Sequence, residues 1–310
     1  MFFSEPSNSS FLSFGFDGIA KLGKKVMNTA KALLAKAGIR PRKRLGQHFL
    51  EDPTIIDRII AEARLSESDV ALEVGAGLGA LTIPLLRHVS HLIAIEKDSH
   101  LVSILEERLS VKEKQKISLI SGDILKLPLE QLYGRFKQKI KVFGNLPYNI
   151  SSPFLDKLIA NRRYIKMAIL MFQYEFAQRL AAPPNRKEYG ALSVIVQYYA
   201  RVSGLMRIEK EAFYPKPKVD SMVLKINFDE PYPSQAKDEL LFQTIVRAAF
   251  GHRRKTILNS LESGIASLSR DALHEILKQC FIDPKRRAET LDIDEYIRLT
   301  ASLAAHQTTS

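Results

Sequence analysis

Val70-Ala71-Leu72-Glu73-Val74-Gly75-Ala76-Gly77-Leu78-Gly79-Ala80-Leu81 is the stretch that decides the fold. Its first five residues are mostly apolar without alternation, the pattern of a strand covered on both faces. Three glycines follow at every second position, and then Leu81, Leu85 and Leu86 fall at helical spacing. Strand, Gly-rich turn and helix open a doubly wound nucleotide-binding sheet. A second strand, His91-Leu92-Ile93-Ala94-Ile95, ends in Glu96, about twenty residues beyond the glycines, where an acid can take both hydroxyls of a ribose. A glycine pattern alone is weak; with its flanking elements and a correctly spaced acid, nucleotide binding outweighs a structural turn.

Glu73 narrows the choice of nucleotide. A dinucleotide brings its pyrophosphate to this loop and to the helix N-terminus, where a carboxylate at the strand end repels it. S-adenosyl-L-methionine brings a sulfonium and an ammonium, which an acid favours. The methyl donor is therefore preferred to NAD.

Further along, Ile117-Ser118-Leu119-Ile120-Ser121 reads as a third strand leading to Gly122-Asp123-Ile124. At the carboxyl end of a parallel strand Asp123 can accept from the amino group of an adenine while Ile124 packs on the ring; Asp after Gly is also common turn chemistry. The fourth strand, Ile140 to Gly144, delivers Asn145-Leu146-Pro147-Tyr148 to the same edge. An Asn carboxamide offers an acceptor oxygen, Pro fixes the direction of a main-chain carbonyl, and Tyr offers a flat face, the parts needed to hold a flipped adenine by its amine.

Composition sets the frame. The chain has 310 residues, 45% hydrophobic and 26% charged, which is globular. A net charge of +12 and a pI near 9.6 suggest a polyanionic partner. One cysteine, Cys280, excludes an intrachain disulfide and a cysteine-based zinc site. The best apolar runs, such as Met167 to Phe172, stop after six residues, too short to span a membrane.

Residues 1–40 read as an extension poor in core pattern. Within it, Gly18 to Ala37 has the spacing of a basic amphipathic helix, open to RNA, a membrane surface, an import receptor or plain solvation. Arg40-Pro41-Arg42-Lys43-Arg44 is a basic run joined to Gly46-Gln47-His48-Phe49-Leu50, a segment without packing period that suits a place over a ligand. Asp52-Pro53 caps a helix striped by Ile55, Ile56, Ile59, Ile60 and Ala63. Strands are expected at 166–171, 205–208 and 219–227, with helices at 153–160, 174–182 and 191–199. Phe213-Tyr214-Pro215-Lys216-Pro217-Lys218 is a stiff connector whose aromatics can wall a base or pack in the core. After a linker at 229–235 only helical periodicity remains, with Arg247, Arg253, Arg254, Lys255, Lys285, Arg286 and Arg287 as candidate phosphate contacts. The division expected is 1–40 as the extension, 41–228 as the α/β domain and 229–310 as a helical RNA-binding domain.

The motifs taken together resemble the small-subunit (16S) ribosomal RNA adenine N6-dimethyltransferases of kasugamycin-sensitivity type. They are Arg42 to Leu50, Glu73 to Thr82, Gly122-Asp123, Phe143 to Ser151, Tyr189-Gly190, Pro217 to Ser221 and Phe250 to Thr256, in family order from about 40 to about 303. The resemblance implies a Rossmann-like, seven-stranded methyltransferase sheet whose last strand is antiparallel, with a small all-α C-terminal domain. It implies that His48 and Leu50 line the methionine end of S-adenosyl-L-methionine, that Gly75 and Gly77 shape the loop, and that Glu96 holds the ribose and Asp123 the adenine. Asn145 then lies where donor and target meet, with Pro147 and Tyr148 completing the catalytic set, and Arg42, Lys43, Arg44, Phe213, Lys216, Lys218, Arg253, Arg254 and Lys255 face RNA. The implied partner is small-subunit ribosomal RNA within the pre-30S particle, met by a cytoplasmic monomer without a metal. His48 stands where the family commonly has Asn, and residues 1–40 have no counterpart in the family pattern.

Overall fold

A computed structural model describes residues 29–265 and 268–309. The N-terminal part of the expected basic helix, and residues 1–28 generally, lie outside the described residues. The helix Ala30–Lys36 is seen, and Ala30 and Leu34 bury it against Phe49, Leu78 and Leu101. The extension therefore ends as part of the core.

The strands, in chain order, are β1 Phe49–Leu50, β2 Val70–Val74, β3 His91–Glu96, β4 Ile117–Ser121, β5 Ile140–Asn145, β6 Ile165–Gln173, β7 Arg201–Ile208, β8 Phe213–Tyr214 and β9 Ser221–Asn227. Seven of them form one sheet in the order β4-β3-β2-β5-β6-β9-β7. The first five are parallel, and β9 runs antiparallel between β6 and β7. Every residue of β2 is buried, as a strand sandwiched between two apolar layers requires. One layer is centred on Leu72, Val74, Ile93, Phe154 and Phe172, the other on Ala71, Leu85, Leu92, Phe143 and Ile169.

The order of the sheet reverses between β2 and β5, because β3 and β4 extend one way and β6 the other. Such a switch point opens a crevice beyond the carboxyl ends of the two strands. Glycine 75 leaves β2 there and Asn145 ends β5 there; a Cβ on Gly75 would lie 3.4 Å from the Asn145 carbonyl oxygen. Beside the crevice, β1 and β8 make a small antiparallel pair, Phe49 opposite Tyr214 and Leu50 opposite Phe213. This pair fastens the N-terminal basic segment to the Pro-rich connector.

Element boundaries follow local chemistry. Asp52 accepts from Thr54 N–H at 2.9 Å to cap the helix Pro53–Ala63, whose Ile56, Ile59 and Ala63 are buried as their spacing requires. Strand β7 begins at Arg201, four residues before the expected start at Leu205, because the whole strand lies at the sheet edge, where a mostly unburied strand needs little apolar content. Among the described residues beyond 229 the elements are all helical, chiefly Glu239–Phe250, Ile257–Gly264, Arg270–Gln279 and Ile293–Thr309. These helices share the apolar cluster of the first sheet face: Phe242 stacks on Tyr198 with ring centroids 4.1 Å apart, and Arg162 pairs with Glu239 at 2.7 Å. Among the described residues no helix is long and apolar enough to cross a membrane.

Candidate active site

Two cavities flank the loop after β2. The larger, about 450 Å³, is lined by Leu50, Glu73 and Leu81; the smaller, about 130 Å³, by Glu96, Asp123, Ile124 and Pro147. His48, Phe49, Gly75, Gly77 and Asn145 line both. The parallel sheet thus brings together, at one edge, the ends of β2, β3, β4 and β5.

The glycines are needed for this approach. Gly75 and Gly77 have φ of +76° and +53°, and a Cβ on Gly77 would meet the Phe49 ring at 3.3 Å. Gly77 N–H in turn donates to Glu96 Oε2 at 3.0 Å, while Asp98 N–H donates to Glu96 Oε1 at 2.9 Å. Each carboxylate oxygen keeps acceptor capacity for a hydroxyl. Burial pushes the Glu96 carboxyl above its ordinary range, against those backbone donors.

Glu73 is fully enclosed. Burial pushes it up to about 8; the Thr82 hydroxyl, donating at 2.6 Å, opposes this, and the charge of Glu96 adds to it. Asp123 behaves differently. Its hydrogen bond from Lys97, at 2.8 Å, and the donation of Leu125 N–H hold it below the usual carboxylate range.

Asn145 is anchored by one end: Nδ2 donates to the His48 main-chain carbonyl at 2.7 Å. That contact assigns the amide orientation, because a carbonyl only accepts, and it directs Oδ1 away from His48 as an acceptor. The His48 ring donates Nδ1–H to the Pro215 carbonyl at 2.6 Å and lies across from Tyr148, centroids 6.3 Å apart. Tyr148 is half-buried and lines neither cavity. The Pro147 carbonyl receives Ile150 N–H at 3.1 Å, so one lone pair is already engaged, whereas the Leu146 carbonyl accepts no hydrogen bond among the described residues.

The sequence did not signal the latch behind this loop. Asp98, buried two residues past Glu96, takes Gln47 Nε2 at 2.9 Å and Arg42 Nη1 at 3.2 Å. Burial works against ionisation of Asp98, but the Gln47 and His100 donors and the Arg42 charge hold it below the usual range. Of the expected RNA contacts, Arg42 is therefore committed inside the chain. Phe213 is buried in β8 and forms core instead of a base wall, and Lys216 pairs with Glu211. Arg253 donates to the Lys187 carbonyl, and Arg286 is bound to Glu295. Lys43, Arg44, Lys218, Arg254 and Lys255 are exposed.

The ribosomal RNA adenine dimethylase family model matches residues 38–304. The chain belongs to that family. A relative from Desulforapulum autotrophicum, named ribosomal RNA small subunit methyltransferase A, is 44% identical over 271 residues, 87% of this chain and 95% of its own. One of the same name from Alkaliphilus metalliredigens is 39% identical over 89% of this chain and 96% of its own. The solved dimethyladenosine transferase of Plasmodium falciparum superposes with a TM-score of 0.71 at 27% identity, covering 84% of this chain and 98% of that one. The adenine dimethylase fold and its cradle of Gly75, Gly77 and Glu96, with Glu73 beside them, fit S-adenosyl-L-methionine, because acidic lining residues favour the sulfonium and ammonium that this donor would bring.

Proposed function

We propose that the chain dimethylates N6 of adenines near the 3′ end of 16S ribosomal RNA, using S-adenosyl-L-methionine, on the pre-30S particle during small-subunit maturation. It acts as a cytoplasmic monomer. The observation that carries this reading is the anchoring of Asn145 on the wall common to both cavities, with its carboxamide oxygen left as acceptor. Glu96 and Asp123 take the ribose and adenine of the donor, Ile124 packs on that ring, and His48 and Leu50 line the methionine end.

S-adenosyl-L-methionine, when bound, supplies a methyl group already activated on a sulfonium. The target amine is the poor partner, because its lone pair is delocalised into the adenine ring. Asn145 Oδ1 accepts one N–H, and the main-chain carbonyls of Leu146 and Pro147 offer the second acceptor. Two such bonds draw the amine toward tetrahedral geometry and localise the pair, so no strong base is required. Holding amine and donor in line accounts for up to about 7–11 kcal/mol of barrier reduction. Tyr148 stacks on the extruded base and offsets part of its unstacking cost of a few kcal/mol. The product of a first transfer still has a lone pair and one N–H, so in a second transfer one of these acceptors holds that N–H while the methyl group takes the other position.

Exposed Lys43, Arg44, Lys218, Arg254 and Lys255 supply phosphate contacts that position RNA without reading its sequence. The test is to offer separated, unmethylated ribosomal subunits with methyl-labelled donor and to map the label. Dimethyladenine near the 3′ end of the small-subunit RNA supports the proposal; label confined to the large subunit, or none, refutes it.

A further inference from the structure

The larger cavity has a charge pattern that the adenosine half of the donor does not use. Two acids line it, Glu51 and Glu73, and Arg108 is its one Lys or Arg side chain. Glu51 is already engaged by Ala30 N–H at 2.7 Å, at the start of the helix Ala30–Lys36. Glu73 is enclosed with the Thr82 hydroxyl on Oε2.

Arg108 ends the helix Ser99–Arg108 and reaches back thirty positions to donate Nη1–H to the Leu78 carbonyl, in the glycine loop. It is half-buried, and among the described residues no carboxylate forms an ion pair with it. Burial alone lowers its affinity for its proton, the mark of a cation drawn partly out of water without a nearby counter-charge. Such a placement costs free energy that an arriving anion returns, and a guanidinium with unused N–H donors matches the two oxygens of a carboxylate.

We propose that Arg108 binds the α-carboxylate of the donor's methionine end in the larger cavity, while Glu73 faces the ammonium and sulfonium. The proposal rests on the reading of S-adenosyl-L-methionine as the donor. A zwitterion needs one group of each sign, and the cavity holds both. Thr29, Ala30 and Leu33, which precede the family match at 38, also line this cavity.

Two ligands separate the carboxylate contact from the rest of the site. S-adenosylhomocysteine carries the amino-acid end, whereas 5′-deoxy-5′-methylthioadenosine has the same adenosine and thioether without it. Titration calorimetry compares the full-length protein with Arg108→Gln and Arg108→Lys. The expected result for Arg108→Gln is an affinity for S-adenosylhomocysteine reduced about tenfold or more, with methylthioadenosine unchanged. Arg108→Lys should recover part of the loss. Unchanged S-adenosylhomocysteine binding in Arg108→Gln overturns the proposal. Equal weakening of both ligands also overturns it, since Arg108 would then only hold the Leu78 loop. If the unsubstituted protein binds neither ligand, the donor reading itself fails and takes this proposal with it.

Discussion

Asn145 Nδ2 donates to the main-chain carbonyl of His48 at 2.7 Å, joining the end of β5 to the segment that precedes β1. The contact uses the backbone of residue 48 and not its ring, so it tolerates the replacement of the family's common Asn by His. The ring makes a separate bond, Nδ1–H to the Pro215 carbonyl. His48→Asn should therefore keep methyl transfer and lose about 0.5–1.5 kcal/mol of stability, measured by urea unfolding beside a labelled-methyl assay. Loss of transfer with stability intact would show that the ring itself serves the reaction.

Glu73 gives the protein a specific pH dependence. Its carboxyl is raised from 4.5 to about 8 in the folded chain, first by burial. Between those values folding takes up a proton, so stability falls as pH rises from about 4.5 to about 8 and levels off above. Glu96, also raised by burial, adds the same sign. Glu73→Gln should flatten most of this slope in denaturant titrations across that range. A slope unaffected by the substitution would remove Glu73 as its source.

Donor binding should also release a proton. A bound cation favours the ionised Glu73, so near neutral pH calorimetry of S-adenosyl-L-methionine should give a heat that varies with the ionisation enthalpy of the buffer. In Glu73→Gln that variation should shrink; an equal variation in both proteins contradicts the assignment.

The basic N-terminal segment divides by burial of its partners. Lys43→Gln and Arg44→Gln should each reduce the salt dependence of RNA binding by about one unit of slope, with stability unchanged. Arg42→Gln should leave the slope near that of the parent and cost about 1–2 kcal/mol of stability, because Arg42 is bonded to buried Asp98. The reverse pattern in filter binding and thermal unfolding would show Arg42 to be the RNA contact.

These residues also show what the sequence made legible. Glu73, Glu96, Asp123 and Asn145 could be placed at one edge because the carboxyl ends of neighbouring parallel strands converge, whatever the loops do. Contacts across long sequence separation carried no such signal. Gln47 and Arg42 reach Asp98 more than fifty positions away, and nothing local distinguishes that Arg from Lys43 or Arg44. Phe213 sits in a Pro-rich stretch with no period, so its burial follows only from the pairing of β8 with β1. The helix Ala30–Lys36 docks mainly through Ala30 and Leu34, too few apolar positions for its attachment to be read before Leu78 and Leu101 are in place.

The central claim is that Asn145 holds the target amine and is not needed to hold the donor. Its most direct test is Asn145→Ala, assayed for methyl transfer to unmethylated small subunits and titrated with S-adenosylhomocysteine in parallel. Transfer should fall about 10²–10³-fold, the usual cost of deleting one preorganised hydrogen-bonding group from an active site, while the ligand's Kd stays close to that of the parent. Full transfer in Asn145→Ala, or loss of binding in proportion to loss of transfer, would contradict the account.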